Sequence, residues 1–220
     1  MKKLSINNSE VLACLTEYSD FIQAKWNSGD LVKDLHSNFH CKNMNGEKFV
    51  SLKYLDKLEK KGHEGFPEYL KGYGGLQLDM ENELYNVKPA GLEYRNRSID
   101  LSENLMMMLA AKRNSLCTIY PPSGFISWHH NANAPGYNII FTWSETGKGW
   151  FKYKDPKTGE IVHIQDEPGW NCKMGYFGHE NKDHFYHAAY TDCLRITCAY
   201  IFSDAENIWK EVIEEIEEEC

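Results

Sequence analysis

YPPSGFISWHHN, residues 120–131, reads as a turn followed by a strand that closes on two histidines and an asparagine. Alternate side chains share a face of an extended strand, so the spacing sends Ser127, His129 and Asn131 one way and Ile126, Trp128 and His130 the other. A second segment, HAAYTDCLRIT at residues 187–197, carries His187 and, eight positions on, Arg195. A histidine and a carbonyl-type oxygen two residues apart on one strand, joined by a histidine from a distant strand, offer three donors to one cation. His184 competes with His187 for the third place. The spacing of three puts those two on opposite faces, and Tyr186-His187-Ala188-Ala189 is flanked like a buried strand, whereas His184 follows the charged run Glu180 to Asp183.

Outward from these segments the texture from residue 115 on is short apolar and β-branched runs broken by Gly, Pro, Asn and Asp, which is the pattern of strands. Strands are expected near 115–120, 124–131, 137–144, 150–154, 160–165, 171–177, 184–191 and 194–202, with Asp155 to Gly159 as a hairpin turn. Roughly eight closely spaced strands predict a jelly roll or related β-sandwich. Upstream, Val11, Leu12, Leu15, Tyr18, Ile22 and Trp26 fall at helical spacing behind a Ser9 cap. A second helix is expected across Phe49 to Leu58, ending at Gly62, and a third from Ser102 through Leu109. Gly72 to Gly75 and Val87 to Arg97 read as loops, and the Met106-Met107-Met108 run as packing. Ser203 and Glu206 form a capping box before a last amphipathic helix with Ile208, Trp209, Val212, Ile213 and Ile216 on its apolar stripe. The expected organisation is one mainly β domain: a helical N-terminal region over 1–114, a jelly-roll core over 115–202, and an acidic helix over 203–220.

The net charge is −8, and eight acidic residues against Lys210 place −7 of it in the segment after Ser203. The rest is close to neutral, which disfavours nucleic acid and anionic membrane as partners. Seven cysteines with no C-x-x-C spacing indicate neither a zinc knuckle nor a disulfide framework. No apolar run reaches the roughly 18 residues of a membrane span. A cytoplasmic location is expected, with the cysteines serving as small core residues.

Tyr120, Gly124, His129-x-Asn131, Gly149-Trp150-Phe151, Pro168-Gly169, Gly175-Tyr176-Phe177, His187 and Arg195-x-Thr197 occur in an order that resembles the double-stranded β-helix of the Fe(II)/2-oxoglutarate-dependent oxygenases, most closely the prolyl 4-hydroxylase-like branch. The resemblance covers about residues 115–202. It implies Fe(II) held by His129 and His187, with Asn131 at the third metal position, and 2-oxoglutarate whose distal carboxylate meets Arg195, with Thr197 and Tyr120 beside it; Asn138, on the next strand, is a further candidate contact to the cosubstrate. Arginine suits that task because its planar fork grips a carboxylate through two bonds. Asn131 stands where that family has Asp or Glu, which removes one negative charge from the site. Glu145 or Asp183 could then supply an outside carboxylate. The Tyr-to-Gly gap is one residue longer than in the family. The activity implied is hydroxylation of a C–H bond of a small molecule or peptide, with release of succinate and carbon dioxide.

Three other readings use the same residues. A jelly-roll binding module would have lost its metal carboxylate at Asn131. A halogenase-like site would use His130 as the ligand, with Ala132 leaving room for halide. An interaction protein would dock a partner on the acidic helix. The aromatic set Trp128, Tyr137, Phe141, Trp143, Trp150, Phe151 and Tyr153 reads as core and sheet face. Asn133 to Gly136 is a turn that would overhang the metal.

Overall fold

The computed structural model describes residues 1–31, 45–74, 89–131, 136–177, 184–202 and 206–217. Its centre is a pair of antiparallel sheets. Strands β4 (Arg113–Tyr120), β6 (Gly136–Ser144), β9 (Gly169–Phe177) and β11 (Arg195–Ile201) form one, in the order β9-β6-β11-β4. The short strands β1 (Lys2–Leu4) and β3 (Tyr73–Gly74) flank it at the two edges. The second sheet runs β2 (Leu70–Lys71), β5 (Gly124–His129), β10 (His187–Thr191), β7 (Gly149–Lys154) and β8 (Ile161–Gln165). From β4 to β11 the strands alternate between the sheets in the jelly-roll manner except for β7 and β8, which pair as a hairpin within the second sheet.

Both outer faces are covered. Helices α1 (Ser9–Asn27), α4 (Pro89–Met108) and α5 (Glu206–Glu217) lie over the six-stranded sheet, where Leu15, Ile22, Leu101, Leu105, Val212 and Ile216 meet Ile119, Phe141, Ile196, Cys198 and Tyr200. Helices α2 (Gly46–Phe49) and α3 (Leu52–Lys61) cover the other, with Phe49, Leu55 and Leu58 against Phe125 and Trp128. This explains why β11 is buried throughout. Ile196, Cys198 and Tyr200 face the helices, while the alternate residues Arg195, Thr197, Ala199 and Ile201 face the interior between the sheets.

Most expected elements are present with ends shifted by one to three residues, and several differ for physical reasons. The cap of α1 is Asn8, whose Oδ1 accepts from the amides of Glu10 and Val11; Ser9 is the first helical residue. The second helix is two, because Ser51 caps a new start by accepting from the Tyr54 amide. Gly62 does end it, in the left-handed conformation at φ +68. The third helix begins at Pro89, which overturns the loop expected from there to Arg97; proline is favoured in a first turn, and Tyr94, Ser98, Leu101 and Leu105 continue one buried stripe. Tyr73–Gly74, within the expected loop at Gly72 to Gly75, pairs with β4. The expected strand 124–131 stops at His129, and 184–191 starts at His187. The Asp155–Gly159 turn forms as expected: Asp155 Oδ1 accepts from the amides of Lys157 and Thr158. Met107 is exposed, while Met106 and Met108 pack on the core. Ser203 of the capping box and the Asn133 to Pro135 turn lie outside the described residues. Among the described residues no helix is long and apolar enough to cross a membrane.

The turn from Tyr120 to Gly124 is close-packed. Ser123 takes φ +60, and a Cβ on Gly124 would stand 2.6 Å from the Pro121 carbonyl oxygen and 2.8 Å from Tyr120 Cβ. Gly124→Ala is expected to cost about 1–3 kcal/mol of stability, read as a lower urea midpoint at unchanged slope.

Candidate metal and anion site

Between the sheets lies a cavity of about 400 Å³. All seven residues singled out from the sequence line it: Tyr120, His129, Asn131, Asn138, His187, Arg195 and Thr197. Three mechanisms bring them together. Antiparallel pairing of β10 with β5 sets His187 directly opposite His129. The inward rows of β11 and β4 deliver Arg195, Thr197 and Tyr120, with Arg195 opposite Tyr120. The third mechanism is a bulge in β5. Its register with β10 slips between His129 and Ile126, the two residues Ser127 and Trp128 on β5 opposing the single Ala188 on β10. Strict alternation is thereby broken, and Ile126 and His129 both face the cavity while Phe125 and Trp128 pack outward on α2 and α3.

The two imidazoles lie with ring centroids 4.1 Å apart. His129 Nδ1 lies 2.8 Å from the Ser127 carbonyl oxygen and His187 Nδ1 lies 3.0 Å from that of Phe185. A carbonyl only accepts, so each Nδ1 carries the proton and each Nε2 presents a lone pair. Backbone carbonyls fix the tautomer of metal-binding histidines in this way. Burial, and secondarily the neighbouring His187, pushes the His129 pKa well below 6.5; burial pushes His187 down to about 4. Both rings are neutral at pH 7. Asn131, half-buried two residues beyond the end of β5, offers an amide oxygen. Two imidazole nitrogens and an oxygen are a donor set suited to Fe(II) or a similar divalent ion. Among the described residues no group of three His, Cys, Asp or Glu is placed to hold such an ion; Asn131 is the further oxygen donor that lines the cavity with the two histidines. Glu145 stands at the far end of β6, its amide bonded to the Leu194 carbonyl, and does not join the pair; Asp183 lies outside the described residues.

His63, His130 and His184 form a separate group outside the cavity. His130 Nε2 lies 3.0 Å from the His63 carbonyl oxygen, and its ring stacks on His184 with centroids 4.1 Å apart. His187 rather than His184 therefore shares the cavity with His129, and the arrangement with His130 as a ligand is not formed.

At the other end Arg195 is buried with a partner the sequence did not suggest. Its Nε donates to Asp166 Oδ2 at 2.7 Å, and its Nη1 donates to Thr197 Oγ1 at 2.6 Å. Lys173 Nζ lies 3.8 Å from Asp166 Oδ1 and donates to Thr142 Oγ1 at 3.2 Å. Burial works against the Asp166 carboxylate, yet the charges of Arg195 and Lys173 outweigh it and hold its pKa below the ordinary value. Burial pushes Lys173 down to about 8, which leaves it mostly charged at neutral pH. Tyr120, its ring 5.5 Å from the guanidinium carbon, has its phenol pushed up to about 12 by burial and stays protonated. Asn138 pairs with Ile201, six residues along β11 from Arg195, so it sits ~20 Å from that end. Its Nδ2 donates to the Gly136 carbonyl. Ile126, Ile140, Phe151, Phe177, Ala189 and Ala199 give the cavity apolar walls; Phe151 alone of the sequence's aromatic set is among them.

No protein-family model and no curated protein matches the chain. Among solved structures it is similar to a Pseudomonas putida prolyl-4-hydroxylase, at 13% identity over 80% of this chain and 98% of that one, TM-score 0.31. It is also similar to KdgF from Halomonas sp., at 16% identity over 41% and 70%, TM-score 0.24, and to the Drosophila melanogaster CENP-C cupin domain, at 11% over 39% and 54%, TM-score 0.28. The chain spans about half the length of the CENP-C structures it matches. The jelly-roll assignment rests on the strand order itself.

The histidine pair has a consequence for stability without metal. The folded-state pKa of His187 lies below its unfolded value of 6.5, so the unfolded chain takes up the proton first as pH falls. Its contribution is whole above pH 6.5 and is lost on the way down to about 4, amounting to about 3 kcal/mol. In chelator, the urea midpoint is expected to fall across that window, and His187→Asn to flatten the fall.

Proposed function

We propose that the protein is an Fe(II)/2-oxoglutarate-dependent oxygenase that hydroxylates a C–H bond. The observation that supports this best is the pair of neutral, carbonyl-oriented imidazoles facing one another in a cavity whose far end holds a buried arginine. His129 and His187 would hold the metal, with Asn131 as the third, neutral donor. The metal supplies activation of dioxygen coupled to oxidative decarboxylation of 2-oxoglutarate. Overall, substrate C–H, dioxygen and 2-oxoglutarate give C–OH, succinate and carbon dioxide.

The chain's own residues account for binding and environment. Arg195 and Thr197 take the distal carboxylate of 2-oxoglutarate, with the protonated Tyr120 phenol beside them. The apolar walls exclude water, which strengthens these charge-assisted contacts and keeps reactive species from being quenched. Asn131 gives a site one charge more positive than a carboxylate would, so the site accepts an anionic cosubstrate readily while holding the metal less tightly.

A second reading, a jelly-roll binding module without oxygen chemistry, draws on Asn131 and on the fact that Asp166 already pairs with Arg195. Anaerobic titration of Fe(II) with 2-oxoglutarate separates the two. The oxygenase reading expects the visible charge-transfer band of the chelate; its absence from folded protein at saturating iron favours the module. His129→Ala is expected to weaken metal binding by tenfold or more. Arg195→Lys is expected to weaken 2-oxoglutarate binding at least tenfold with metal affinity little changed, because an ammonium cannot reproduce the fork. Equal 2-oxoglutarate affinity in that variant would remove Arg195 from the site.

A further inference from the structure

Two cations and one carboxylate are buried together at the arginine end of the cavity. Arg195, Lys173 and Asp166 have side-chain exposures of 2%, 3% and 0%. Burying charge is costly unless it is matched, and among the described residues one positive charge is left over here. The shortfall has a location. Asp166 Oδ2 is engaged by Arg195 Nε, whereas Oδ1 has no hydrogen-bond partner among the described residues and stands 3.8 Å from Lys173 Nζ, beyond hydrogen-bond distance. The Asp166 carboxylate is thus committed to the arginine and only near the lysine. It is also tightly seated: its amide donates to the Gly149 carbonyl, and a Cβ on Gly149 would lie 2.6 Å from Oδ2. The guanidinium lines the cavity, and Lys173 stands behind Phe151, with its ammonium 5.6 Å from that ring's centroid.

We propose that Asp166 is a built-in occupant of Arg195, which yields the guanidinium to an incoming carboxylate by turning onto Lys173. The movement needed is small, about 1 Å, to bring Oδ1 from its present distance into a charge-assisted hydrogen bond. The charges then balance: two cations, Asp166, and one carboxylate of the ligand. A neutral ligand would leave the positive charge uncompensated, and a dianionic group would overshoot, so the pocket selects a monoanionic carboxylate. Lys173 acts without touching the ligand. It is a positioning residue, the acceptor of the displaced aspartate. The inference rests on the cavity binding 2-oxoglutarate as proposed above, and adds the two residues that set its affinity.

The test is the dissociation constant of 2-oxoglutarate for the full-length protein loaded with Mn(II), by calorimetry, in three forms. Lys173→Met keeps the Arg195–Asp166 pair but removes the place Asp166 moves to; 2-oxoglutarate should bind tenfold or more weakly, with Mn(II) affinity and the folded far-UV spectrum retained. Asp166→Asn removes the competing charge and should bind it fivefold or more tightly. Should Asp166→Asn fail to fold, Lys173→Met decides alone. Wild-type affinity in Lys173→Met overturns the proposal while the oxygenase reading stands. Absence of 2-oxoglutarate binding from wild type and both variants, with Mn(II) bound, overturns the oxygenase reading as well. Binding seen only in Asp166→Asn supports Asp166 as occupant.

Discussion

The pairing of β10 between β5 and β7 is the constraint on which the rest of the site depends. It fixes His187 against His129 on one side and against Tyr153 on the other. Because both imidazoles sit on central strands rather than loops, their positions are set by ladder hydrogen bonds, and their tautomers by carbonyls only two residues away in the chain. The bulge in β5 completes the arrangement. Without the extra residue Ile126 and His129 could not both face inward, and the outward anchors Phe125 and Trp128 would lose their places beneath α2 and α3. One local irregularity thus serves two layers at once, turning a ligand in and keeping two aromatics out.

The two ends of the cavity differ in their electrostatics. At the histidine end the donors are neutral and no carboxylate stands among the described residues, so those residues would leave a bound cation its full charge. The arginine end carries net positive charge inside a low-dielectric wall, where such charge is felt strongly. A ligand with two acidic groups and a short spacer is the natural bridge between a cation and a guanidinium held in one cavity. The apolar residues between the ends leave little that could solvate either charge, which makes the bridging ligand more valuable than its contacts alone suggest.

Much of this was legible in the sequence, and the exceptions have specific causes. His129, His187, Arg195 and Thr197 were readable because they lie on strands whose spacing declares their facing, and the family resemblance ordered them. Asp166 was not. It sits at a corner between β8 and β9, in a segment with Glu167 and Pro168 that reads as an exposed turn, and its partner is 29 positions away; the only signal was an acid two positions ahead of the Pro168-Gly169 corner. Simple alternation failed along β5 because bulges leave no mark in composition. The first half of α4 was hidden by Gly91 and Asn96, whose low helix propensity is overridden by packing of the Tyr94 and Ser98 face on α1, where Tyr18 bonds Ser98 at 2.7 Å. Strand β1 is three residues long, too short for a pattern, and exists because β9 offers it an edge.

That edge has its own consequence. Lys2–Leu4 pairs with Cys172–Met174, and the same N-terminal segment is clasped by α5 through the Ile216 carbonyl, which accepts from the amides of Asn7 and Asn8. Some 170 residues separate the two strands, so during synthesis β1 must wait ~10–30 s for its partner to be translated. Until it docks, β9 presents an open row of amides and carbonyls, the kind of edge on which other chains add. Lys2–Leu4 therefore acts as the cover of this sheet edge and is the piece that keeps β9 of one copy from pairing with the next.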